Sequence, residues 1–215
     1  MEARLLAFRI YFSQVWQKFF YMEAPRLYVT PKIVSYLGGA NSGCGRIGAG
    51  NASFCSVDNT IYYDREFLAA EMISVGAGLH SDGGYAAVVI LAHEWGHAAD
   101  YWYRRQDTKL LWGEGTNELR ADCLAGAVTL AAKSAGRLSP VDLQEAENAI
   151  QSAGEIDVSS LLPTNPYRRQ TELEELKTSM RKLAGHGDPA KRLQAFRNGY
   201  TNGARACLEP SPVKK

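Results

Sequence analysis

His93-Glu94-Trp95-Gly96-His97 and Asn117-Glu118-Leu119-Arg120-Ala121-Asp122 are the two stretches of this chain whose residue types and spacing can do chemistry. Residues four apart share one face of a helix, so His93 and His97 can present two imidazoles to a single metal ion, with Glu94 beside it. This is the H-E-x-x-H zinc signature. Catalytic zinc takes three protein ligands and leaves a fourth position open, and Glu118 on the next helix is the natural third ligand. Asp122, one helical turn later, can accept a hydrogen bond from the outer N–H of a metal-bound histidine. The chemistry such a set supports is metal-assisted hydrolysis, with Zn2+ as cofactor and Glu94 as general base. An isolated H-E-x-x-H also arises in ordinary helices that bind nothing, and the E-x-x-x-D on a second helix is what favours the metal. Gly96, which costs about 1 kcal/mol relative to alanine inside a helix, marks either close helix packing or a functional approach.

Elements must position these residues. Leu5, Phe8, Phe12, Val15, Trp16 and Phe19 recur at helical spacing and predict an amphipathic N-terminal helix. Arg26 to Thr30 reads as a short strand stopped by Pro31. After a glycine-rich loop, Ser53 to Val57 and Thr60 to Tyr63 read as a hairpin around Asp58-Asn59. Asp82 with Gly83-Gly84 opens a long apolar helix, from Tyr85 to about Tyr103, that carries both histidines. The charged connection Gln106 to Gly115 leads to a helix from Asn117 to about Ser134, which carries Glu118 and Asp122. Ser139-Pro140-Val141-Asp142 resembles a capping box for a helix ending near Ser152. Glu172 to Lys182 is amphipathic, and Asp188-Pro189 opens a last helix with Leu193, Phe196 and Tyr200. The class is therefore α+β, mainly helical with a small sheet. Residues 1–208 are expected to form one domain and residues 209–215 a disordered tail.

The 215 residues carry 24 Lys plus Arg against 23 Asp plus Glu, so no basic field draws nucleic acid or a membrane surface. Arg9 and Lys18 interrupt the apolar N-terminal stretch well short of the ~20 residues a membrane span needs, and no signal-peptide cleavage pattern follows. The four cysteines, Cys44, Cys55, Cys123 and Cys207, form no C-x-x-C pair. They are either two disulfides, which implies an oxidising compartment, or buried thiols. Of the three possible pairings, 44–55 with 123–207 is favoured: the first staples a glycine-rich loop, and the second ties the C-terminal stretch to the helix of Asp122.

Several of these segments together resemble the bacterial neutral zinc metallopeptidases, small gluzincin-like proteins. Besides His93–His97, the likeness includes Cys44-Gly45, Phe54-Cys55 through Ile61-Tyr62-Tyr63-Asp64, and Glu118-Leu119-Arg120-Ala121-Asp122-Cys123. It continues in Gly185-His186-Gly187, Arg192, Phe196, Gly199-Tyr200, Gly203 and Cys207. The resemblance implies a zincin-like fold, a zinc-dependent peptidase acting on peptide or protein substrates, and His93, His97 and Glu118 as ligands with Glu94 as base. It implies the same cysteine pairing. By analogy with related families, His186 is a candidate second donor to the oxyanion, against the simpler reading of an exposed loop histidine. Tyr62 or Tyr63 is a candidate for the edge strand along the cleft; His80 reads as a surface histidine. Two departures stand out: Ala98-Ala99-Asp100 follows the motif where members often have another histidine, and the N-terminal hydrophobic anchor of many members is missing here. The expected location is extracytoplasmic. A rival reading is a zinc-bound regulatory module that holds peptide without turnover, and Glu94 speaks against it because such a module has no use for a general base.

Overall fold

Six large side chains at helical spacing, Leu5, Phe8, Phe12, Trp16, Phe19 and Phe20, are buried along one face of the first helix, α1 (Glu2–Met22). In the computed structural model, which describes residues 2–24, 27–105, 116–153 and 188–208, this face packs on the long helix α3 (Gly84–Arg104). Phe8 meets Tyr85 edge-on with ring centroids 5.3 Å apart, and Phe12 meets Trp95 at 5.9 Å, the tilted geometry aromatic quadrupoles favour. On the opposite face Leu6 and Ile10 are exposed.

Three strands form the main sheet: β1 (Lys32–Tyr36), β4 (Ala52–Cys55) and β5 (Thr60–Asp64), in the order β1-β5-β4. β5 runs parallel to β1 and antiparallel to β4, with Cys55 opposite Thr60 as the expected hairpin requires. The expected strand at Arg26 to Thr30 is not formed: residues 27–31 are irregular and pairing begins after Pro31. Proline cannot donate to a ladder, and the carbonyls of Val29 and Thr30 accept instead from the Asn59 side chain. The glycine-rich loop holds a hairpin of its own, β2 (Gly39–Ser42) with β3 (Gly45–Gly48). Its turn is tied to the end of β4 by the Cys44–Cys55 disulfide and by Gly43 N–H on Asp58. Tyr62 and Tyr63 lie on the central strand β5, so β4, not the tyrosine strand, forms the edge on that side.

The sequence pattern did not suggest α2 (Arg65–Leu79), which starts where the Asp64 carboxylate accepts from Glu66 N–H, a side-chain N-cap. α4 (Thr116–Ser134), α5 (Pro140–Ser152), α6 (Pro189–Asn202) and the short α7 (Arg205–Leu208) follow. At the start of α5 the Asp142 carboxylate accepts from both the backbone and the hydroxyl of Ser139. The second disulfide, Cys123–Cys207, joins α4 to α7. Among the described residues no helix is long and apolar enough to cross a membrane. The expected connection 106–115, the helix at 172–182, His186 and the tail 209–215 lie outside the described residues.

Candidate metal centre

α3 carries the two histidines because its start and its flank are both fixed. The Asp82 carboxylate accepts from Gly84 N–H at 2.8 Å, and the buried Glu145 of α5 reaches across to Tyr85 N–H at 2.6 Å. Free amides of the first turn are thereby satisfied. Gly96 is a packing glycine with a consequence for the site. A Cβ there would stand 2.6 Å from the Ala121 carbonyl oxygen, so its absence lets α4 lie close against α3. That crossing brings Glu118 and Asp122 to the histidines.

The donor atoms converge. Nε2 of His97 lies 3.1 Å from Nε2 of His93 and 3.2 Å from Oε1 of Glu118, and His93 Nε2 lies 3.3 Å from Glu118 Oε2. The edge of a tetrahedron around zinc, with bonds of about 2.0–2.1 Å, is about 3.3 Å. His93, His97 and Glu118 thus fit a metal ion in number, donor type and spacing. Behind them, Asp122, fully buried, faces His93 Nδ1 at 2.8 Å, which leaves Nε2 as the outward-facing donor.

Arg192 of α6 completes the shell and had been assigned no role from the sequence. Its Nε and Nη2 donate to the two oxygens of Asp122 at 2.8 and 2.9 Å, a bidentate pair shut off from solvent. α6 approaches α4 this closely because Gly126 and Gly199 face each other's backbone: a Cβ on Gly199 would stand 1.7 Å from the Cys123 carbonyl. The available signal was helical spacing, since Arg192, Phe196 and Gly199 share the buried face of α6.

Burial by itself would lower the pKa of His93, but the charge and hydrogen bond of Asp122, helped by Glu118 and Glu94, raise it to about 10 in the metal-free protein. Burial pushes Asp122 the other way, and the charges of His93 and Arg192 overcome it, so its pKa is lowered. A groove of about 310 Å3 opens over the donors, walled by Ala52, Ser53 and Phe54 of β4 on one side and by Tyr101 and Asn117 on the other, with Glu94 at its floor. Trp95 and Trp102 are core residues, and His80 is an exposed residue at the end of α2.

A paired-histidine helix and a carboxylate from the next helix, with a buried Asp–Arg pair behind them, form a group that could hold a metal ion. Residues 9–102, from α1 through the histidine helix, match the family described as "Putative neutral zinc metallopeptidase". Glu118, Asp122 and Arg192 lie beyond the match, so their part rests on geometry. The uncharacterized protein YpfJ of Escherichia coli K12 is 28% identical over 193 residues, 83% of this chain and 60% of its own length. The uncharacterized protein Rv2575 of Mycobacterium tuberculosis H37Rv is 30% identical over 190 residues, 82% of this chain and 60% of its own. The chain therefore spans about 60% of the length of these curated relatives. No solved structure matches it.

Proposed function

We propose that this chain is a zinc-dependent peptidase with a zincin-like fold, in which residues 1–208 act as one domain outside the cytoplasm. One observation carries the reading: three ligand atoms of His93, His97 and Glu118 converge within 4.8 Å of one another beneath a groove that Glu94 also lines. The two disulfides support an oxidising compartment.

Zinc bound by His93, His97 and Glu118 would supply a polarised carbonyl and a water whose pKa falls from about 16 toward about 7. Glu94 would serve as the general base, accepting a proton from water and delivering it to the leaving amine. Asp122 holds the His93 ring with Nε2 toward His97 and Glu118, and Arg192 holds Asp122. β4 stands at the edge of its sheet and walls the groove. An extended peptide adds to it as a further strand, with its backbone paired to Ala52–Cys55.

Glu94→Gln tests the reading. The variant is expected to bind zinc in the same stoichiometry, by elemental analysis, and to lose hydrolysis of a peptide library. Hydrolysis that survives the substitution removes the mechanism.

A further inference from the structure

A second cavity, of about 250 Å3, adjoins the groove and shares Asn51, Ala52, His93 and Glu94 with it. Phe67 of α2, Ile90 of α3, and Ala149, Ile150 and Ala153 at the end of α5 give it apolar sides. Two residues that line it carry a polar group with no partner among the described residues. Nη1 of Arg192 is buried without a hydrogen bond, although the other two guanidinium nitrogens are bonded to Asp122. Glu71 of α2 is half-buried with no ion pair or hydrogen bond, and burial raises its pKa.

Asp122 already neutralises Arg192 through a bidentate pair. With a divalent cation balancing the carboxylates of the metal site, the charge left facing the cavity is that of Glu71, which repels an acidic guest and favours a cationic one. Apolar walls suit the methylene stem of a long basic side chain whose charged end reaches a carboxylate.

We infer that this cavity is the specificity site for a lysine or arginine side chain on the leaving side of the scissile bond, with Glu71 pairing its charge. This rests on the peptidase reading for the position of the bond, but the pocket's preference can be measured without turnover. The probes are Lys-Ala-amide, norleucine-Ala-amide and Glu-Ala-amide, each resembling the leaving half of a cut peptide, titrated by NMR into the zinc-loaded protein. Lys-Ala-amide is expected to bind about tenfold or more tighter than the norleucine probe, the scale of one charged hydrogen bond partly out of water, and the glutamate probe weakest. Glu71→Gln is expected to erase the lysine advantage and leave norleucine binding unchanged. Equal binding of lysine and norleucine by the wild type, or a lysine advantage that survives Glu71→Gln, overturns the inference. The same proteins are then given a peptide library. Cleavage without a basic preference sinks the pocket and spares the peptidase; a Glu71-dependent preference in binding without cleavage does the reverse.

Discussion

Replacing Gly96 by alanine puts a methyl carbon 2.6 Å from the Ala121 carbonyl oxygen and 2.9 Å from its Cα. Such atoms come to rest at about 3.2–3.5 Å, so α3 and α4 must part there by roughly 0.6–0.9 Å. The donor set spans the same two helices: Glu118 stands 3.2 and 3.3 Å from the histidine nitrogens, already at the edge length zinc requires. A metal site tolerates about 0.2 Å of error in each bond, so much of the separation falls on the Glu118 ligand. Zinc affinity is expected to drop about 10–100-fold, or about 1.4–2.8 kcal/mol. The metal-free fold suffers less, because about 1 kcal/mol of helix propensity gained offsets part of the roughly 1–3 kcal/mol cost of overpacking. Competition with a chromogenic chelator measures the first quantity, and urea denaturation of the metal-free protein the second. Zinc affinity within twofold of wild type would refute the reasoning, since the crossing would then not set the ligand spacing. So would a loss of fold stability larger than the loss of zinc binding.

Two further outcomes follow from the shell behind the ligands. Asp122→Asn leaves the buried Arg192 without its counter-charge, so chemical denaturation should show about 3–5 kcal/mol less stability in the metal-free protein, and zinc affinity should fall about 10–100-fold; a loss under 1 kcal/mol would contradict the pair's burial. In the metal-free protein the His93 pKa is raised to about 10 from 6.5, so the stability it contributes is complete below about 6.5 and is lost as pH rises through about 10. Zinc requires the neutral ring, and loading at pH 8 should therefore release a proton from His93, counted by calorimetry in buffers of different ionisation enthalpy; no release at pH 8 would show that His93 is already neutral there.

What could be read from the sequence was what local spacing encodes. His93 and His97, then Glu118 and Asp122, are each a helical turn apart, and caps or glycines mark where their helices begin. Cys44 and Cys55 sit close in sequence around a loop with little else to hold it. α2 escaped for a physical reason: Leu68, Met72 and Val75 make an incomplete apolar stripe, and Gly76 and Gly78 lower its intrinsic helicity. The Asp64 cap and packing against α3 decide it. β1 was misplaced across Pro31 because a strand pairing parallel to β5 depends on a partner nearly thirty residues away, which no short window contains. The β4 edge escaped for the same reason, since strand order is a property of the sheet and not of any one strand.

Arg192 is the clearest case of a residue whose role only three dimensions reveal, and the charge balance of the site explains why it is there. Glu94, Glu118 and Asp122 bring three carboxylates to one place, and Asp122 is wholly out of water. A bound divalent cation together with one arginine balances them; the cation alone does not. Without Arg192, Asp122 would face burial with only His93 to compensate it, and the cheaper course would be to take up a proton or swing away. Either would release the His93 ring from the orientation that exposes Nε2. By fixing Asp122 with two hydrogen bonds, at 2.8 and 2.9 Å, Arg192 lets the proposed ligands stand in place before any metal arrives. The energy of metal binding is then not needed to assemble the site, unlike in small domains that fold only around their zinc. That is why α6, distant in sequence from the histidine helix, is locked to α4 by facing glycines and, through α7, by a disulfide: the position of a single guanidinium depends on both.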